Sequence, residues 1–313
     1  MSCESRPLAA ARPSGFDAVR AQIAEALSAA YGQPVAPQAV VPVRDDAFKE
    51  ELPDATAKFY VPRPNGKQGF LILSGHGNPQ LVARAVDNIA HAIERTGGSV
   101  ALPILPPCQT GEVAGRAYAV WSEKVVVEDA GRVAQFLTRR RIGTAACEWI
   151  NAFAVASAVP ADPAAVRRDL GAITADAGVD PSLHETAARA RARLDAGDWA
   201  PRNALQHNDF WLGNLVFPKN AWEARFYVID WAGMIRDGYP FFDLSRMMMS
   251  LGVAKRDRAH LTDDLTRRLG CAHEDAPAYV VAALGRIRRD LEHFPVERFR
   301  AMANAVHAYV TDG

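Results

Sequence analysis

The chain has 313 residues, 36 lysines and arginines against 36 aspartates and glutamates, and a hydrophobic fraction of 49%. The balanced charge lacks the basic surplus that a nucleic-acid surface or a polybasic membrane patch needs, and no apolar run reaches the ~18 residues of a membrane span. Length predicts two domains or one domain of two lobes, while Cys3, Cys108, Cys147 and Cys271, far apart and without a C-x-x-C pair, exclude a local zinc site and predict reduced thiols.

The opening residues MSCESRPLAAARPSG hold no apolar core of a secretory signal, so the expected location is the cytoplasm. Phe16, Val19, Ile23 and Leu27 recur at helical spacing and predict a helix over 16–31, stopped by Gly32 and Pro34. Apolar, β-branched runs at 39–43 and 56–61 predict strands separated by a turn at Arg44–Asp46. Asn65-Gly66 predicts a two-residue hairpin turn into a strand over 69–73. The segment SGHGNP then leads to a helix over 80–95 that ends at Gly97-Gly98, followed by strands at 99–105 and 116–121. That order predicts a small antiparallel sheet with a helix packed on it, an α+β arrangement.

From about Glu128 the sequence turns Ala- and Arg-rich, with helices expected at 128–141, 144–158, 163–176 and 183–196 and prolines 160, 163 and 181 between them. A lobe boundary is expected near 122–125. The run Arg139–Arg141 reads as a solvated helix end favoured by the C-terminal dipole.

The chemistry concentrates between Leu205 and Leu251. In His207-Asn208-Asp209-Phe210-Trp211-Leu212-Gly213-Asn214, an Asp on a loop precedes by five positions an Asn that heads a short apolar strand. After a turn at Pro218–Asn220, the strand Phe226-Tyr227-Val228-Ile229 ends in Asp230. A hairpin of these strands brings Asn214 and Asp230 to one end beside Asp209. Two carboxylates and an amide oxygen are hard donors that suit Mg²⁺ bridging phosphates.

HNDFWLGN resembles the catalytic loop H-[GN]-D-x-x-x-x-N of the aminoglycoside phosphotransferase and choline kinase group and is similar to the protein-kinase loop. VIDW resembles the group's I-D-[WFY] metal segment, and GYPFFDLSR its G-x-P-x-x-D-L-[AS] segment. The resemblance implies a two-lobed, protein-kinase-like α+β fold. An antiparallel-sheet nucleotide lobe is expected over 1–124 and a larger, mainly helical catalytic and acceptor-binding lobe over 125–313. It implies a kinase that moves the γ-phosphoryl group of ATP or GTP to a hydroxyl of a small molecule. Asp209 matches the catalytic aspartate, Asn214 and Asp230 the Mg²⁺ ligands, His207 a structural loop histidine, and Asp243 the aspartate that props the loop. Trp231 reads as core.

The first lobe departs from this pattern. The family places a Lys or Arg on its third strand, but Gly69–Leu73 has none; Lys58, on the preceding strand, is the candidate phosphate ligand. The helix over 80–95 has Asp87 and Glu94 but no Glu at its middle. A catalytically inactive, kinase-like binding protein is therefore the alternative to the enzyme. The basic balance of 255–300 (eight Lys and Arg singled out against Asp263, Asp264, Glu274 and Asp275) argues against a polycationic acceptor and for a sugar or hydroxy acid.

Overall fold

A computed structural model of the chain describes residues 15–43, 52, 55–122, 125–126, 132–217, 226–292 and 294–312. The turns expected at Arg44–Asp46 and Pro218–Asn220, Cys3, and the side chains of Arg139–Arg141 lie outside the described residues. Two compact units form, residues 1–83 with 107–123, and residues 84–106 with 124–313.

The first unit opens with α1 (Gly15–Tyr31) and holds the strands β1 (Val41–Pro42), β2 (Thr56–Pro62), β3 (Gln68–Ser74), β4 (Gln109–Val113) and β5 (Arg116–Ser122). They make one antiparallel sheet in the order β1-β2-β3-β5-β4. Alternation along β2 buries Ala57, Phe59 and Val61, and these join Leu71, Leu73, Tyr118 and Val120 in a core closed by Ile23 and Leu27 of α1. The same alternation puts Lys58, Tyr60, Phe70 and Ile72 on the other face. The β2–β3 turn is longer than the two-residue form expected, because Pro64 lacks the N–H that a two-residue hairpin needs next to the turn. Instead Gly66 donates to the Arg63 carbonyl, sits at φ 72°, and Arg63 N–H closes on the Lys67 carbonyl at 2.9 Å.

The second unit contains most of α2 (Leu81–Thr96), then α3 (Arg132–Ser157), α4 (Pro163–Thr174), α5 (Pro181–Ala196), α6 (Phe242–Leu251), α7 (Lys255–Leu269), α8 (Asp275–Arg289) and α9 (Val296–Thr311). Two small antiparallel sheets accompany them. One is β10 (Tyr227–Val228), β9 (Leu215–Phe217) and β6 (Val125–Val126); the other is β11 (Ile235–Gly238), β8 (Arg202–Gln206) and β7 (Val159–Pro160). Every residue of α8 from Ala278 to Gly285 is buried, as expected for a helix apolar on all sides at the centre of a bundle.

Three expectations are corrected here. The strand expected at 99–105 is a 3-10 turn (Gly98–Val100) and loop, since Pro103, Pro106 and Pro107 deny a ladder its N–H groups; the strand of this region is β4. The helices expected at 128–141 and 144–158 are one helix, α3, running through Gly143. That glycine marks a close approach, its missing Cβ lying 3.0 Å from the Leu251 side chain. Four arginines of 286–300 are paired rather than set on solvated faces: Arg288 and Arg300 bind Asp176, Arg289 binds Asp169 and Arg286 binds Asp237.

Helices α4 and α8 touch backbone to backbone. A Cβ on Gly285 would stand 1.9 Å from the Asp169 carbonyl oxygen, whereas one on Gly171 of α4 would meet nothing within 4 Å. We therefore expect Gly285→Ala to lower unfolding free energy by about 2–3 kcal/mol and Gly171→Ala to be neutral or to stabilise by up to about 1 kcal/mol, both read from urea midpoints. Equal effects at the two sites would contradict the packing described.

Burial works against ionisation of Asp176, but hydrogen bonds from Arg300 (2.7 Å) and Arg288 (2.5 Å) prevail and hold its carboxyl at about 2. A carboxyl lower in the folded than in the unfolded chain stabilises above the unfolded value and loses that contribution as pH falls. The stability gap between wild type and Asp176→Asn should thus be full above pH 4 and close toward pH 2. A gap independent of pH would contradict it.

Candidate active site

Strand β8 ends at the buried Gln206, whose side-chain oxygen accepts the Tyr239 N–H at 3.1 Å, and delivers His207, Asn208 and Asp209 at its tip. His207 is fully buried. Its Nε2–H donates to the Ile229 carbonyl at 3.0 Å, and its ring lies 4.7 Å from that of Trp231 and 5.8 Å from that of Phe210. Desolvation holds the imidazole below its ordinary value, against the pull of Asp230 and Asp209, which keeps it a neutral packing and hydrogen-bonding group. Trp231 is wholly buried, with its indole N–H on the Val228 carbonyl at 3.0 Å.

Asp243, in the first turn of α6, holds the loop from behind. Its two oxygens accept the backbone N–H groups of His207 (2.5 Å) and Asn208 (2.9 Å). Burial pushes its carboxyl up to about 7 although both amides favour the charged form. Asn208 (φ 74°), Asp230 (φ 67°) and Phe241 (φ 75°) all have left-handed backbone. Asn and Asp adopt it at small cost, but a phenylalanine there is strained. Phe241 is held by stacking on Tyr279 at 5.5 Å and by Ser245, whose N–H and hydroxyl both donate to its carbonyl.

The carboxylate of Asp209 is half exposed. Asn214 Nδ2 donates to its Oδ2 at 3.0 Å and to its backbone carbonyl at 2.8 Å, and the Trp211 indole N–H points at Oδ2 from 3.3 Å. Trp211 lies over Gly213, where a Cβ would come within 2.3 Å of the ring. Pairing of β9 with β10 and the Ile229 N–H to Asn214 carbonyl bond (3.0 Å) bring the exposed Asp230 to the end of the hairpin that starts at Asn214.

These residues fit a magnesium ion. The Asn214 amide nitrogen is spent on Asp209, which would leave the amide oxygen to hold such an ion, and Asp230 offers a carboxylate. Among the described residues no three His, Cys, Asp or Glu cluster as a metal cage. Mg²⁺ needs none, because it keeps waters and shares phosphate oxygens.

Two residues that sequence reasoning did not single out complete the site's frame. Asn88 of α2 is buried, donates to the Trp231 carbonyl at 2.9 Å and accepts from Arg236 at 3.2 and 3.3 Å; Arg236 also pairs with Asp87. The middle of this helix, where a glutamate was sought, therefore carries an amide bound to the backbone next to Asp230. Arg246, one turn beyond Asp243 on α6, reaches Asp209 Oδ1 at 3.4 Å. In the first unit, Lys58 is exposed on β2 directly across from Ile72, and β3 has no basic residue. The Ser74–Pro79 segment serves as a turn and cap, with Ser74 Oγ accepting the Val82 N–H at 3.0 Å.

This fold and this loop define a kinase-like phosphotransferase of α+β architecture. The profile of the phosphotransferase enzyme family, the aminoglycoside phosphotransferase group, matches residues 70–284, and the chain belongs to that family. Solved structures agree in fold. A protein assigned as a fructosamine-3-kinase from Thermobifida fusca has a TM-score of 0.54 at 17% identity, covering 93% of this chain and 99% of its own. The GDP complex of aminoglycoside 2'-phosphotransferase-IIIa has a TM-score of 0.54 at 12% identity, with 94% and 98% covered. Choline kinase LicA from Streptococcus pneumoniae has a TM-score of 0.52 at 9% identity, with 95% and 100% covered. At such identities the likeness shows the fold alone. No curated protein matches the chain.

Proposed function

We propose that the protein transfers the γ-phosphoryl group of ATP or GTP to a hydroxyl of a small acceptor, with Asp209 as the base and Asn214 and Asp230 holding Mg²⁺. The observation that carries this reading is the bridge from Asn214 to Asp209 beside the hairpin end that presents Asp230. The acceptor O–H donates to the half-exposed Asp209 carboxylate, which orients the oxygen toward the γ-phosphorus and takes the proton as the new P–O bond forms and the diphosphate leaves. Bound Mg²⁺ supplies charge neutralisation for the phosphates. Asn214 contributes twice, since its amide nitrogen fixes Asp209 and its oxygen would hold the metal. His207 and Asp243 stay out of the proton path and keep the loop in its left-handed bend. Lys58 takes the place of the family's third-strand cation in this reading, supported by its register opposite Ile72.

The missing cation on β3 favours a second reading, a kinase-like protein that binds nucleotide or metabolite without turnover. Transfer of labelled γ-phosphate from ATP and GTP to a panel of polyols, sugars, hydroxy acids and amino alcohols decides between them. Labelled acceptor from wild type, formed at least about a hundredfold more slowly by Asp209→Asn, is the expected result. Nucleotide binding with no transfer to any member would favour the second reading. The location, expected to be the cytoplasm, belongs to the same proposal; among the described residues no helix is long and apolar enough to cross a membrane.

A further inference from the structure

The Asp209 carboxylate is not evenly surrounded. Oδ2 accepts from Asn214 Nδ2 (3.0 Å) and Trp211 Nε1 (3.3 Å), whereas Oδ1, the oxygen left to meet an acceptor hydroxyl, faces the guanidinium of Arg246. That contact, at 3.4 Å, is longer than the 2.7–2.9 Å typical of a closed charge-assisted hydrogen bond, so the pair is open. Arg246 Nε is buried and has no hydrogen-bond partner among the described residues. An arginine has five N–H donors in a planar fork; of these, one terminal nitrogen reaches Asp209 and the Nε–H is left unmet, which is costly in a buried place. The side chain remains about a quarter exposed, so a solute can reach it. It is held by α6, the same helix that fixes the loop through Asp243, and so has a set position relative to the attacking hydroxyl.

We infer that Arg246 is the acceptor-recognition residue and that the acceptor carries a carboxylate or phosphate close to the hydroxyl that is phosphorylated. Two oxygens of such a group fit the fork of Arg246 side by side, with the neighbouring hydroxyl directed at Asp209 Oδ1. An amine in that position would stand against the guanidinium, so amino alcohols and aminoglycosides are disfavoured acceptors here. The inference rests on the reading of Asp209 as the base of a kinase.

The test uses matched triads, glycerol with glycerate and serinol, and glucose with gluconate and glucosamine, with release of the nucleoside diphosphate as the readout. Wild type, Arg246→Gln and Arg246→Lys are compared with whichever of Mg·ATP and Mg·GTP shifts the wild type, and each protein's melting temperature is recorded with and without both nucleotides. Expected is a kcat/KM at least about tenfold higher for the acid member of a triad, a difference of about 1.4 kcal/mol. Arg246→Gln should erase that preference mainly through KM while the Mg·ATP shift persists, and Arg246→Lys should restore it in part. The inference is overturned if neutral or amino members are preferred, if Arg246→Gln slows all members through kcat alike, or if Mg·ATP binds but no acid member is phosphorylated. Absence of a shift in wild type with both Mg·ATP and Mg·GTP overturns the kinase reading instead, which keeps the two failures distinct. Should Arg246→Gln not fold, the triad preference of wild type and of Arg246→Lys decides alone.

Discussion

Asp209→Asn should reduce kcat by about 10²–10⁴-fold, the usual worth of a positioned general base, with the KM for nucleotide nearly unchanged. The amide is the same size and can still accept from Asn214 and Trp211 through one oxygen, so the loop keeps its shape. What disappears is the basic oxygen at the open side of the loop. The side chain is half exposed and supports no core, so the melting temperature should move little. Steady-state kinetics with the best acceptor, alongside thermal melting, checks this. A loss below about tenfold would remove Asp209 from the base role, and a large loss of stability would make the kinetic result uninformative about chemistry.

Asp243→Ala should cost about 2–4 kcal/mol of stability and most of the activity. It leaves the buried N–H groups of His207 and Asn208 without their acceptor, at roughly 1–3 kcal/mol each, offset in part because a buried carboxylate is no longer needed. Asn208 is held at φ 74° by this arrangement, and Asp209 follows it directly in the chain. Asp243→Asn should not rescue, because an amide would accept from one N–H and present its own N–H₂ to the other. Urea unfolding gives the stability, and hydrogen exchange at the two amides tests the cause. Unchanged exchange protection at both positions would contradict the propping role.

The loop was legible because its chemistry is local. Asp209, Asn214 and Asp230 lie on one loop and one hairpin, so spacing and strand pattern alone bring Asn214 and Asp230 together, and His207 and Trp231 follow as the apolar packing beneath them. Asp243 was legible only through the family pattern, since nothing in its own neighbourhood says that it reaches 36 residues back. Less visible were features that depend on tertiary neighbours. Strand β8 is the half-polar RNALQ, which has too little alternation to stand out. The break expected between 141 and 144 is absent, and Gly143 within it is a contact with Leu251. Asn88 and Arg246 sit on otherwise ordinary amphipathic helices; a buried amide or an arginine one turn past Asp243 becomes notable only when its partner is known.

The most direct test of the account is the melting temperature with Mg·ATP and Mg·GTP, with and without Mg²⁺, for wild type and Asp230→Ala. A ligand that binds the folded chain raises its melting point by mass action, so no acceptor need be known. A rise with at least one nucleotide that requires Mg²⁺ and is lost in Asp230→Ala is the expected result. No rise with either nucleotide at millimolar concentration, or an equal rise in the variant, would contradict it.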